Sequence, residues 1–389
     1  MYKLYYIERD TTIYEKYPER NTGLDSILEL TKIACGSRDD MGNVLSNTYN
    51  SRVLLDLGNN VTTLRTDINN GTIPAFASHP LSSSAYLTLR LANANSVPAN
   101  FSIEAYPISE SWTMGTGTFD SDPESRVGVS WYYRNGTDVS LPSAWNTGSA
   151  QSAGQESVTN LNGGGTWLTS SADNSISYRA SQSFSNAETI DVRLNITPIM
   201  NAWISNDILN HGLIIKWPTA VEISGDLAGS LKFFGRESNT IYVPRLEVAY
   251  DNSILSGTGS FTEINSNIYV PYFTNLRSAY HESEKAKLRI QTRPEFPTRA
   301  YQTSSVYLDN YRLPTSSYWS VLDSVTDETI IPFDTGSTRI SCDSSGNYIN
   351  IDFNSFLTER YYKLVLRIER EGGADVQIHD NKYYFRVDR

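Results

Sequence analysis

Apolar and polar residues alternate with period two from one end of the chain to the other, and no other feature narrows the fold as much. In AYLTLRLANA (85–94), Leu87, Leu89 and Leu91 share one face, while Tyr86, Thr88 and Arg90 share the other. FSIEAYPI (101–108) groups Phe101, Ile103 and Ala105, and TIDVRLNIT (189–197) groups Ile190, Val192, Leu194 and Ile196. RLEVAYD, AKLRIQTR and YKLVLRIER repeat the habit. The dipeptides Asn135-Gly136, Ser345-Gly346 and Gly372-Gly373 punctuate the strands as turns. The pattern predicts an all-β protein with antiparallel strands. Its 25 tyrosines and its wealth of Thr, Ser, Asn and Gly suit half-buried pleated surfaces joined by polar turns.

Helix signals are sparse. TPIMNAWISNDI (197–208) offers a Thr cap, an early Pro, and Ile199, Met200, Trp203 and Ile204 at helical spacing. ESEKAK (282–287) reads as a loop leading into a strand. TGSAQSAGQESVTNLNGGG (147–165) reads as a long exposed polar loop, and GGGTW (163–167) as a flexible one, since no Lys-Ser/Thr follows to make a phosphate loop. With no heptads or short repeats, a coiled-coil shaft or solenoid is excluded.

Charge narrows the partners. A net charge of −11 without a basic cluster argues against nucleic acid. No apolar run reaches the ~20 residues needed to cross a bilayer, and MYKLYYIERD carries no apolar leader, so we expect no membrane insertion and folding in the cytoplasm. Cys35 and Cys342 lie in strand-like contexts far apart in sequence and read as two buried free thiols. The four histidines, His79, His211, His281 and His379, are isolated from any Ser/Asp motif, and no G-x-S-x-G or H-E-x-x-H occurs. Asp39/Asp40 and Asp120/Asp122 read as solvated turn residues, so the expectation is a protein without catalytic activity. No cofactor is called for. A structural Ca2+ is left open at FDSDPES (119–125) and DINNG (67–71), where Asx turns explain the oxygens equally well.

The stretch GVSWYYRNG (128–136) holds the main ambiguity, between a sugar-stacking platform and a strand running into a hairpin. As a strand it places Val129, Trp131 and Tyr133 on one apolar face, which makes Trp131 core. Tyr132 and Arg134 then point outward. Together with Trp145 and Trp167 they form the candidate surface for a partner protein or a glycan.

The order of segments over residues 1–251 carries a resemblance. DTTIYEKYPERNTGLDSILELTKI (10–33), SRVLLDLG (51–58), AYLTLRLANA and FSIEAYPISESWTMGTGTF are followed by GVSW, IDVRLNITPIMNAWISN, HGLIIKW and KFFGRESNTIYVPRLEVAY (232–250). This succession resembles the DNRLRE-type jelly-roll module found beside carbohydrate-active enzymes, which places Trp131 against Trp112. TIYEKYPERNTGLDSILEL at the N-terminus, together with EKAKLRIQTRPEFPTRAY, SSYWSVLDSVTDETIIPFD and ISCDSSGNYINIDFNSFLTERYYKLVLRI in the C-terminal domain, is similar over nearly the full length to virion structural proteins of large tailed bacteriophages. That resemblance implies a virion component assembling with neck, tail or capsid proteins in multiple copies. It favours a neck, collar or tail adaptor, and leaves capsid decoration or attachment to host glycan as alternatives. We expect a jelly-roll sandwich over 1–251, a linker over 252–265, and an immunoglobulin-like sandwich over 266–389. The last rests on some seven short strands, without the Cys…Trp…Cys pattern.

Overall fold

The computed structural model describes the chain except for residues 39–43, 75–82, 138–141, 146–154, 158–162, 186, 188, 256–260, 267 and 298–309. The side chains of 35–38, 44–47, 155–157 and 371 also lie outside the described set, and with them Cys35, Asp39, Asp40 and His79. The fold is all-β, and the chain forms two compact units. One comprises Tyr5–Thr72 and Ser84–Glu247; the other comprises Met1–Leu4, Ile73–Ser83 and Val248–Arg389.

The larger unit is a jelly-roll-like sandwich. Its eight-stranded sheet runs in the order Ala180–Ser185, Asn100–Pro107, Leu213–Lys216, Val44–Asp56, Ile27–Arg38, Gly229–Phe234 and Leu91–Asn95, with Arg9–Tyr14 as a further partner of Val44–Asp56. A four-stranded sheet orders Tyr2–Tyr6, Arg245–Tyr250, Ser83–Leu89 and Val192–Asn195, so that first and last strands are neighbours, as Greek-key connections require. AYLTLRLANA, which reads as one strand, is two. Ser83–Leu89 pairs with Val192–Asn195 in one sheet, and Leu91–Asn95 pairs with Gly229–Phe234 in the other. Arg90 makes the corner. Its guanidinium holds Asp191 at 2.6 Å, and the second Asp191 oxygen accepts the Leu91 N–H at 3.0 Å.

Three α-helices occur among the described residues: α1 (Asn60–Asn69), α2 (Thr197–Ser205) and α3 (Thr219–Ile223). The expected helix is α2, although Thr197 lies inside the helix rather than capping it; its hydroxyl bonds Asn195 and the Ala85 N–H instead. α1 gave no sequence signal, because Thr62, Thr63 and Thr66 are poor helix formers and only Val61 and Leu64 are buried. Arg65 of α1 donates to the Trp203 and Ile204 carbonyls (2.6 and 3.1 Å), satisfying the open C-terminal end of α2.

The smaller unit is an immunoglobulin-like sandwich. One sheet orders Tyr269–Phe273, Lys285–Pro294, Gly346–Asp352 and Ser341–Asp343; the other orders Ala279–His281, Asp375–Asp388, Arg360–Arg370, Ser317–Asp323 and Thr329–Ile331. With the short Ala279–His281 and Thr329–Ile331 taken as A′ and C′, the other seven strands lettered in chain order give A-B-E-D in the first sheet and G-F-C in the second. Leu288, Ile290, Ile349 and Ile351 meet Trp319, Val321, Leu364, Leu366 and Phe385 in one core. The cysteines of antibody domains are absent, yet two other hallmarks remain. Trp319 is the buried tryptophan of strand C, and Tyr362, near the start of strand F, donates its hydroxyl to the Leu357 carbonyl at 2.8 Å. Tyr362→Phe removes that corner bond and is expected to lower stability by about 0.5–1.5 kcal/mol, read as a lowered urea midpoint. An unchanged midpoint would show that the corner carries no load.

The expected linker is partly built into this sandwich. Ile264 lies in its core, and the Ile254 carbonyl accepts the Cys342 N–H at 2.9 Å. Cys342 is buried and free. The Ser345-Gly346 turn falls one residue earlier, at Ser344–Ser345, where Asp343 pairs with Gly346. Gly346 sits at φ +113°, and a Cβ there would lie 2.3 Å from the Asn310 amide.

Candidate functional site

Ser51 through Leu57 are buried without a break, so this run of Val44–Asp56 is covered on both faces. The second cover is the segment between Pro107 and Ala180. Ile13, Leu54, Tyr106 and Ile214 of the sheet pack there against Trp112, Val129, Trp131, Trp145 and Trp167 of the segment.

Within this layer lies Arg52, with no exposed surface. Its Nε and Nη2 grip both carboxylate oxygens of Glu222 (3.0 and 2.8 Å), and Nη1 donates to the Gly164 carbonyl at 2.5 Å. The guanidinium lies 4.8 Å from the Trp131 ring and 5.1 Å from the Trp167 ring. Lys216, equally buried, reaches Glu222 at 3.1 Å, the Trp217 carbonyl at 2.8 Å and the Thr219 hydroxyl at 3.1 Å. Burial pulls the Lys216 ammonium below its ordinary range against the pull of Glu222. Glu104, paired with Arg179 at 2.6 Å and with the Tyr106 hydroxyl at 2.9 Å, adds a second buried carboxylate. GGGTW is therefore no flexible loop. Gly163, Gly164 and Gly165 are buried at φ +132°, +87° and +90°, and a Cβ on Gly164 would sit 2.5 Å from Arg52 Nη1.

GVSWYYRNG is not an extended strand. Gly128 and Gly136 exchange both backbone hydrogen bonds (3.0 and 2.7 Å), and the Ser130 N–H donates to the Tyr133 carbonyl at 2.8 Å. The chain reverses at Trp131–Tyr132 rather than at Asn135-Gly136, and the alternation breaks there. Trp131 turns inward at 1% exposure and Tyr132 outward at 38%. Trp112 shares the buried cluster with Trp131. The surface of Tyr132, Arg134, Trp145 and Trp167 does not form. Trp145 (2%) and Trp167 (0%) are core, because the indole N–H of Trp145 is drawn to the Ser130 carbonyl at 3.0 Å and Trp167 stacks near Arg52. Alternation could not reveal this, since the face that covers them belongs to a distant strand.

Tyr132 and Arg134 stay at the surface. Tyr132 sits edge-on to Tyr133 at 6.2 Å, and Arg134 bonds the Ser111 carbonyl at 3.1 Å and faces Glu110 at 3.7 Å. The Tyr132 N–H donates to the Pro18 carbonyl at 2.9 Å, next in sequence to Tyr17. Arg20 is itself held between the Tyr17 and Phe119 rings at 4.7 and 4.9 Å.

Among the described residues, no group of three His, Cys, Asp or Glu side chains converges to hold a metal ion, in FDSDPES, in DINNG or elsewhere. His281 bonds the Ser283 hydroxyl (2.8 Å) in an exposed turn, and burial lowers the pKa values of His211 and His379. Asp10 is 1% exposed; one carboxylate oxygen accepts the Arg236 N–H at 2.6 Å, and the other has no partner among the described residues. Burial pushes its pKa up to about 6 from an ordinary 3.8. The folded state thus favours the neutral acid. That stabilisation is complete below pH 3.8 and is lost as pH rises through about 6. Asp10→Asn is expected to stabilise the protein by about 1–3 kcal/mol at pH 8 and by little at pH 4. Urea titrations at both pH values that gave the same difference would overturn this.

An open groove of about 750 Å3 lies at one end of the eight-stranded sheet, beside α3. Phe101 and Phe184 are cross-strand partners with rings stacked at 5.3 Å, and Trp217 meets Phe101 edge-on at 5.8 Å. The exposed Leu227 lines it as well. Periodicity gave no hint of this groove, because it depends on how residues 217–228 fold back. The chain matches no known family, no curated protein and no solved structure.

Proposed function

We propose that this chain is a non-enzymatic structural component of a tailed-phage virion, a neck, collar or tail adaptor or decoration subunit acting by protein–protein assembly. The observation that supports it best is the Tyr132, Tyr17, Arg20 and Arg134 surface on a tryptophan-cored base. Tyrosine and arginine on a rigid backbone supply large contact area at little entropic cost, and both are enriched where binding energy concentrates. The outer face of the G-F-C sheet adds a second such surface, with Tyr361, Ile378 and Tyr384 exposed. Gold labelling of purified particles with antibodies to the folded protein tests the reading. Label at the neck or tail in a small symmetric set is expected. Label over the head would favour capsid decoration, and particles without the protein by mass spectrometry would refute a virion role.

A further inference from the structure

We infer that the free edge of strand G (Asp375–Asp388) in the smaller sandwich pairs antiparallel with the same edge of a second copy of this chain, about a two-fold axis at Gln377. The pairing goes beyond the virion reading and does not depend on it. Three observations carry it. First, the edge is open. Strand F (Arg360–Arg370) lines one side of strand G, whereas on the other side Ala279–His281 reaches only Arg386–Asp388. Glu369 turns its N–H away to the Ser316 carbonyl at 2.9 Å, so its neighbour Ile368 is the residue that bonds Gln377. By alternation, Val376 and Ile378 aim their N–H and C=O groups at the open edge. Among the described residues those groups have no hydrogen-bond partner.

Second, the open stretch is unprotected. Sheet edges are ordinarily blunted by charge, proline or a bulge. A bulge at Asp380–Lys382, with Lys382 at φ +59°, interrupts the strand after His379. Val376–Ile378 carries no such device, and the side chains of Val376 and Ile378 are 43% and 63% exposed on the outer face. Third, the stretch is complementary to itself. Set antiparallel about Gln377, DVQIH (375–379) places Val376 against Ile378 of the second copy, and each such pair can exchange two N–H···O bonds. On the other face Asp375 meets an imidazole, that of His379 of the second copy. In strand F, Glu369 lies beside Val376 and Arg367 beside Ile378. Each row across the joined sheets therefore reads acid, apolar, apolar, base, and like charges never face each other. An unrelated partner would need no such symmetry in this sequence, whereas an isologous contact requires it.

The test is sedimentation velocity of the full chain from about 1 to about 200 µM, where a concentration-dependent dimer is expected, since a strand-edge contact belongs to the small, weak class of interfaces. Ile378→Pro removes an N–H that strand F does not use, so the sandwich should still fold while dimerisation weakens by about tenfold or more. If that variant does not fold, Val376→Lys/Ile378→Lys, which sets lysine against lysine across the two-fold, is measured with the same expectation. Mild oxidation reads the register. Gln377→Cys is expected to cross-link, because its Cα lies about 4.5 Å from its own copy across a non-hydrogen-bonded pair. Val376→Cys, displaced from its copy by two residues, lies beyond the roughly 7 Å that a disulfide spans and should not. A monomer throughout would overturn the pairing and leave the edge to a different chain. A dimer undiminished in the edge variant, or equal cross-linking of the two cysteine variants, would overturn it as well. Particle incorporation is a separate readout, so failure here leaves the assembly reading standing.

Discussion

Glu222→Ala is expected to lower the stability of the larger sandwich by about 3–5 kcal/mol. Glu222 is the carboxylate that holds two fully buried cations, Arg52 through two hydrogen bonds and Lys216 at 3.1 Å. Without it, Arg52 keeps the Gly164 carbonyl and the two indole faces, and Lys216 keeps the Trp217 carbonyl, the Thr219 hydroxyl and the Trp167 face at 5.3 Å. Neither arrangement neutralises a charge that cannot reach water. A lysine can escape by losing its proton, and its pKa is already depressed by burial; an arginine cannot. Most of the loss should therefore trace to Arg52. The triple variant Arg52→Met/Lys216→Met/Glu222→Leu, which removes every charge together, is expected to recover most of it. Urea unfolding followed by tryptophan fluorescence reads both, since six of the chain's seven tryptophans lie in this unit, two of them against Arg52. A single variant losing under about 1 kcal/mol would mean that water reaches the cluster.

The same cluster shows where sequence reading stops. The alternations of TIDVRLNIT and YKLVLRIER are visible because one face of each strand is solvated, so polarity tracks geometry residue by residue. SRVLLDLG breaks the rule because the strand is covered twice, and the arginine in its middle looks like a surface residue until its distant partner is known. Glu222 is 170 positions away from Arg52 on a five-residue helix without a periodic signature. Continuous burial from Ile103 through Tyr106 is the matching signal on the neighbouring strand, and Glu104 disguises it in the same way. Likewise, Trp319 and Tyr362 mark an immunoglobulin-like sandwich through one buried ring and one hydroxyl, which strand counting does not reveal.

Adjacent residues at the tip of GVSWYYRNG should behave in opposite ways, and the pair Trp131→Ala and Tyr132→Ala decides what the stretch is for. Trp131 is buried against Arg52, and Gly164 runs so close that a Cβ there would lie 2.9 Å from the Trp131 ring. Truncating it opens a cavity and strips one of the two indole faces from a buried cation. The expected loss is about 3–5 kcal/mol. Tyr132, 38% exposed and edge-on to Tyr133, leaves no cavity when truncated, so Tyr132→Ala should change stability by about 0.5 kcal/mol or less. If the hairpin tip docks a neighbouring subunit, Tyr132→Ala should still cut incorporation into particles, because a tyrosine at the centre of an interface contributes about 2 kcal/mol or more. Stability and incorporation thus separate along two consecutive residues. Loss of incorporation in Trp131→Ala alone would make the aromatic run a matter of folding. Loss in a fully stable Tyr132→Ala would make the hairpin tip a contact, with its tryptophan as the anchor that holds the tyrosine in place.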